Sequence, residues 1–134
     1  MEVEWLEKLL PSQLNGQIGR HCVAELGGGC PHLLNDESYI SQVLKEAAEI
    51  CGAQFLGLKS HKFEPQGVTA IALLSESHIS VHSWPELGYL AADCFTCGDH
   101  CDPEAAIRHI KQCLLLTEGS VKIFDRRMPV FSAA

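Results

Sequence analysis

The sequence predicts an α+β fold, a two-layer α/β sandwich with a mainly antiparallel sheet and helices on one face. Three observations lead there. Strand-like segments follow one another across turns too short to hold a crossover helix, as antiparallel hairpins do. The two long helical patterns, residues 36–51 and 102–114, begin on capping residues. The resulting order, β-α-β-β-(β)-β-α-β, separates hairpins from helices. A chain of 134 residues suits a single domain, 1–134, with one core.

Taken in order, residues 1–16 place Trp5, Leu6, Leu9 and Leu10 at helical spacing before Pro11 and Asn15-Gly16, a short helix that docks on something. Ile18 to Leu26 alternates as a strand, and Gly27-Gly28-Gly29 ends it. No Lys-Ser/Thr follows the glycines and no GxGxxG pattern is present, so they read as a turn and not a phosphate loop. Asn35-Asp36-Glu37-Ser38 caps a helix whose stripe is Tyr39, Ile40, Val43, Leu44, Ala47, Ala48 and Cys51, with Gly52 as the stop. Gln54 to Phe63 is the next strand, Glu64-Pro65-Gln66-Gly67 a turn, and Val68 to Ser75 a strand apolar on both faces, as at an interface. Ser77 to Ser83 continues extended, Trp84 to Gly88 turns, and Tyr89 to Thr96 is a further strand. Asp102-Pro103 opens the second helix, with the cap before a proline at the first helical position. Ser120 to Phe124 is the last strand, and 125–134 a tail.

Composition narrows the function. At 46% hydrophobic and 20% charged, the chain is globular rather than disordered. A net charge of -7 argues against nucleic acid or an anionic membrane as partner. No apolar run approaches the roughly 18 residues of a membrane span. Met1 to Lys8 is acidic where a secretory signal is basic and then apolar. The expected location is therefore cytoplasmic, with the seven cysteines as reduced thiols.

The chemistry concentrates in Leu74-Ser75-Glu76-Ser77-His78-Ile79-Ser80-Val81-His82-Ser83-Trp84-Pro85-Glu86. Serines, histidines and carboxylates set between two strand-like runs are costly to bury unless they are paired or used. A hydrolase would cast Ser77, His82 and Asp93 or Glu86 as nucleophile, base and orienter, but no GxSxG elbow is present. Cys94, Cys97, His100 and Cys101 offer zinc ligands at short spacing. Cys94 and Cys97, however, fall on opposite faces of a strand, and no metal is expected.

The thirteen-residue stretch resembles the prokaryotic S-adenosylmethionine decarboxylases, in which a Ser-Glu-Ser-His motif precedes a histidine, an aromatic, proline and glutamate. Gly19-Arg20-His21 with Val23-Ala24-Glu25, His61-Lys62-Phe63 with Pro65-Gln66-Gly67-Val68, and Phe95-Thr96-Cys97-Gly98 extend the resemblance over about residues 18–103. The resemblance implies a pyruvoyl-dependent enzyme that cuts itself between Glu76 and Ser77 into chains 1–76 and 77–134. The cofactor is then a pyruvoyl group derived from Ser77, which forms a Schiff base with the substrate amine and draws electrons as carbon dioxide leaves. It further implies His82 as processing base, Thr69 (where the family usually has serine) as a hydroxyl donor that supports the first step of processing, and Cys97 as proton donor to the product. Phe63 is implied to stack on adenine and Glu86 to hold the ribose hydroxyls. The implied substrate is S-adenosylmethionine, whose decarboxylated product donates an aminopropyl group in spermidine synthesis. The implied assembly is a homodimer with sites at the subunit interface. Ser60 and Glu64 depart from the family's aromatic and small or apolar residues. A pyruvoyl-dependent arginine or ornithine decarboxylase is therefore the alternative, and a non-catalytic regulatory relative the second. Ser77 and His82 have opposite strand parity; distortion before the cut and a free end after it are expected to bring them together.

Overall fold

The computed structural model describes residues 17–128. The predicted helix within 1–16 and residues 129–134 of the tail lie outside them. The elements are β1 (Gln17–Gly27), α1 (Pro31–Leu34), α2 (Glu37–Ile50), β2 (Phe55–Lys62), β3 (Val68–Leu74), β4 (Ser77–Trp84), a 3-10 turn (Pro85–Leu87), β5 (Tyr89–Cys97), α3 (Pro103–Cys113) and β6 (Glu118–Arg127). The six strands form one sheet in the order β2-β3-β4-β5-β1-β6. Every pairing is antiparallel. This is the expected α+β sandwich.

Local chemistry accounts for the elements. The Asp36 carboxylate accepts from the Tyr39 N–H at 3.0 Å and caps α2. The Asp102 carboxylate accepts from the Glu104 and Ala105 N–H groups and caps α3 behind Pro103. Two contacts tie the helices side by side. The Tyr39 hydroxyl donates to the Cys113 carbonyl at 2.8 Å, and His109 Nε2 meets Glu46 Oε1 at 3.0 Å.

Strand alternation sorts the sheet's faces. Cys22, Ala24, Leu26, Val68, Ala70, Ala72, Leu74, Ile79, Val81, Leu90, Ala92 and Cys94 face the helices and are buried. With Ile40, Val43, Leu44, Ala106, Ile107 and Ile110 from α2 and α3 they make one core. Burial pushes the Cys22 thiol up to about 11, with a further push from Glu104, so it stays a protonated core residue. On the other face, Ile71 and Leu73 are exposed, so β3 is apolar on both sides but covered on one. No helix among the described residues is long and apolar enough to cross a membrane.

Two details depart from expectation. The turn of helix at α1 was not predicted; its four residues are too few for a hydrophobic period, and Pro31 at its start reads as a breaker. The last strand extends to Arg127 instead of ending at Phe124, because β1 runs alongside it as far as Gln17.

Candidate active site

The β3–β4 hairpin is closed by two residues, Ser75 and Glu76, between the paired Leu74 and Ser77. Glu76 has φ 60°. That left-handed conformation suits glycine, and a residue with a Cβ holds it against a cost of about 1–2 kcal/mol. Next to it Ser77 begins β4 and is buried, its exposure only 8%. Cys97, the last residue of β5, touches both sides of the Glu76–Ser77 peptide. Its backbone N–H donates to Ser77 Oγ at 3.1 Å, and its thiol donates to the Glu76 carbonyl oxygen at 3.0 Å. Gly19 on β1 lies opposite Cys97, where a Cβ would stand 2.7 Å from the Thr96 carbonyl oxygen. Glycine is what lets β1 close on this corner.

A second group occupies the opposite end of the sheet. Thr69 at the start of β3 pairs with His82 near the end of β4, and Thr69 Oγ1 lies 2.9 Å from His82 Nδ1. Phe63 follows β2, is 46% exposed, and packs edge-on against His61 with centroids 4.6 Å apart. Glu86 is exposed in the 3-10 turn after β4. Buried Ser83 fixes this corner: its hydroxyl donates to the Leu34 carbonyl at 2.6 Å and accepts from the Val68 N–H at 2.9 Å. Ser60 points away from Phe63 toward α2, donating to Glu37 Oε2 at 2.7 Å.

The chain thus brings Glu76, Ser77 and Cys97 together at one end, and Thr69 and His82 at the other with Phe63 and Glu86 nearby. It does not bring Ser77 and His82 together. β4 pairs in unbroken register with β3 and β5. Ser77 lies on the helix side and His82 on the open side, five residues apart or roughly 16 Å along the strand. The expected distortion ahead of the cut is absent, because ladders on both edges keep β4 regular.

The hydrolase arrangement is not assembled either, since Asp93 has other partners. His21 Nε2 and His78 Nε2 each lie 2.7 Å from Asp93 Oδ2, and the Ser80 hydroxyl donates to Oδ1. This cluster lies across β1, β5 and β4 on the open face, where His78 stacks on Phe95. Burial raises the Asp93 carboxyl, but the bonds from Ser80, His21 and His78 outweigh it and hold the group below its ordinary value. Sequence reading missed the cluster; its one local signal is the period-two spacing of His78 and Ser80.

Possible metal ligands converge at two places among the described residues, and neither uses the Cys94–Cys101 segment. Cys94 is buried in the core, whereas Cys97 lies on the opposite face of β5. In the His21–His78–Asp93 group, Arg126 Nη1 donates to His21 Nδ1 at 3.2 Å. The ring proton is then assigned to Nε2, which donates to Asp93 and has no lone pair for an ion. In the Glu46–His109–Cys113 group, Cys113 Sγ is 3.4 Å from His109 Nε2 and 3.8 Å from Nδ1. The sulfur therefore sits beside the ring and not along the Nε2 direction that meets Glu46.

Comparison with known proteins places this geometry. The S-adenosylmethionine decarboxylase family matches residues 20–127. The chain is 46% identical over 112 residues to the S-adenosylmethionine decarboxylase proenzyme of Synechococcus sp. (strain WH7803), covering 84% of this chain and 88% of that one. It is 51% identical over 98 residues to the proenzyme of Methanococcus maripaludis (strain DSM 14266), covering 73% and 80%. The crystal structure of the adenosylmethionine decarboxylase from Aquifex aeolicus superposes with a TM-score of 0.78 at 26% identity, over 88% of this chain and 98% of that one. A model match over most of the chain, with such identities, means that this chain belongs to the S-adenosylmethionine decarboxylase family.

Proposed function

We propose that the chain is a proenzyme that cuts itself between Glu76 and Ser77 and then decarboxylates S-adenosylmethionine. The observation that carries this reading is the turn: a left-handed residue, a hydroxyl at the next position, and a thiol on the carbonyl between them. Ser77 Oγ attacks the Glu76 carbonyl carbon; the peptide C–N bond breaks and an ester forms. The Cys97 thiol draws negative charge onto the carbonyl oxygen during attack. Backbone strain at Glu76 is relieved as the amide is lost. A base removes the Ser77 α-proton, the Glu76 carboxylate leaves by β-elimination, and water releases ammonia to leave a pyruvoyl group at the head of 77–134. That group, once formed, supplies the carbonyl electron sink for decarboxylation. The corner suits it, because the Cys97 thiol, which lies at the Glu76–Ser77 peptide, stands by with a proton for the product α-carbon.

Among the described residues of one copy, His82 lies at the far end of β4 from Ser77. The reading therefore takes Thr69, His82, Phe63 and Glu86 from a second copy, in a homodimer that joins opposite ends of two open sheet faces. Two symmetric sites follow from such a pairing. Exposed Ile71, Leu73, Trp84 and Phe124 give that face apolar surface to bury. His82, held by Thr69, would take the α-proton; Glu86 would accept from the ribose hydroxyls and Phe63 would stack on adenine.

Co-expression of a Ser77→Ala chain with a His82→Ala chain tests this. Each alone should stay uncut. Together they form mixed pairs with one complete site, so the His82→Ala chain should be cut and carbon dioxide release from S-adenosylmethionine restored in part. No cutting in the mixture would reject a base supplied from the partner.

A further inference from the structure

A cut between Glu76 and Ser77 turns the start of β4 into a chain end, and the sheet holds that end weakly. Ser77 pairs with Leu74, itself the last residue of β3, and the pairing with β5 begins only at His78, opposite Phe95. The bond from the Cys97 N–H to Ser77 Oγ is lost as well, because that oxygen departs in the new Glu76 carboxylate. A strand end without its turn frays. The pyruvoyl group would be an acyl group on the His78 nitrogen, so the place of His78 sets the place of its keto carbon. Catalysis is sensitive to that place, since a misplacement of about 1 Å can cost roughly 100-fold in rate.

We propose that His78 is a positioning residue that pins the freed end of β4 to β5 and so holds the pyruvoyl group against the Cys97 thiol. The proposal rests on the self-cutting reading above. The surroundings of His78 carry it. Its Nε2 lies 2.7 Å from Asp93 Oδ2, and its ring stacks on Phe95 with centroids 6.2 Å apart and planes 26° from parallel. Both partners belong to β5, the strand that ends in Cys97. The residue bearing the group is thus tied to the strand bearing the proton donor. The tie is firm at its far end. Asp93 Oδ2 also meets His21 Nε2 of β1 at 2.7 Å, and the Ser80 hydroxyl donates to Oδ1. Arg126 of β6 donates to His21 Nδ1 and lies over the Phe95 ring. One network therefore joins β4, β5, β1 and β6, and His78 is its member nearest the cut. Ile79, the next residue, is buried on the helix side and secures β4 from there inward.

The test compares His78→Ala with Ser80→Ala. Both remove a bond to the same carboxylate, but Ser80 sits where β4 is held on both sides, opposite Ile71 and Asp93. His78→Ala should be cut, then release carbon dioxide from S-adenosylmethionine with kcat lowered about 10–100-fold and KM within about twofold of wild type. Ser80→Ala should keep kcat within about twofold. Hydrogen exchange reads the strand end apart from turnover. His78→Ala should speed exchange of amides 78–80 at least tenfold in cut protein, and less than about twofold in the uncut Ser77→Ala chain, where the turn is intact. Equal losses of kcat in the two variants, equal exchange effects in cut and uncut protein, or a His78→Ala chain that stays whole would overturn the proposal. Wild-type kcat in His78→Ala would overturn it too, with the self-cutting reading untouched. A wild-type chain that stays whole would reject the self-cutting reading, and the anchor with it.

Discussion

Replacing Glu76 by glycine tests whether the turn stores strain that scission uses. Glu76 holds φ 60° at the second position of a two-residue turn. A residue with a Cβ maintains that conformation at a cost of about 1–2 kcal/mol, and glycine at almost none. If the cost is relieved when Ser77 Oγ reaches the Glu76 carbonyl, glycine removes that share of the driving force. Every 1.36 kcal/mol is tenfold in rate, so scission of Glu76→Gly should slow by about 5–30-fold. The carboxylate is also lost, and Glu76→Ala controls for it, because alanine keeps the Cβ and therefore the strain. The informative quantity is the ratio of the alanine rate to the glycine rate. Freshly translated chain, sampled over time by denaturing mass spectrometry, gives both as the decay of the 134-residue species. If Glu76→Gly is cut as fast as Glu76→Ala, the left-handed residue contributes nothing to the reaction and the strain argument fails.

Two further outcomes are expected. Cys97→Ala keeps the backbone N–H on Ser77 Oγ, so its chain should still be cut, more slowly, while turnover of the cut protein falls by about 10²–10⁴-fold; single-turnover carbon dioxide release separates the two effects. Asp93→Asn should destabilise the protein by about 1–3 kcal/mol at neutral pH, since Ser80, His21 and His78 all bond the carboxylate. The Asp93 carboxyl is held below its ordinary value in the fold, so its stabilisation is present above the unfolded value near 3.8 and is lost as pH falls through the lower folded value. The gap between wild-type and variant melting temperatures should therefore narrow below about pH 4, and a gap that widens there would reverse the assignment.

What the sequence made legible was local. Asp36 and Asp102 announced their helices because a capping carboxylate acts within three residues. The run from Ser77 to Ser83 was readable as strand because Ile79 and Val81 recur with period two. The motif around Glu76-Ser77, with Cys97 beyond it, was readable as a family resemblance. Placement across the sheet was not. No local period indicates that the first strand inserts between β5 and β6, and that insertion is what carries His21 to Asp93 and Gly19 to Cys97. The parity of Ser77 and His82 already pointed them to opposite faces. A strand bonded along both edges resists the distortion that would turn them to one side, which is why the proposed function takes the missing base from a second subunit.

If the proposed cut occurs, the place of its turn in the sheet also decides what becomes of the pieces. The turn feeds a strand flanked by β3 on one side and β5 on the other. Severing it removes a tether while both ladders stay closed, so the 1–76 and 77–134 segments would remain clasped as one body, interleaved through β1 and α2 from the first and β4, β5, α3 and β6 from the second. Melting such a nicked molecule liberates two independent polymers, which makes its thermal midpoint rise with concentration even without any dimer to dissociate.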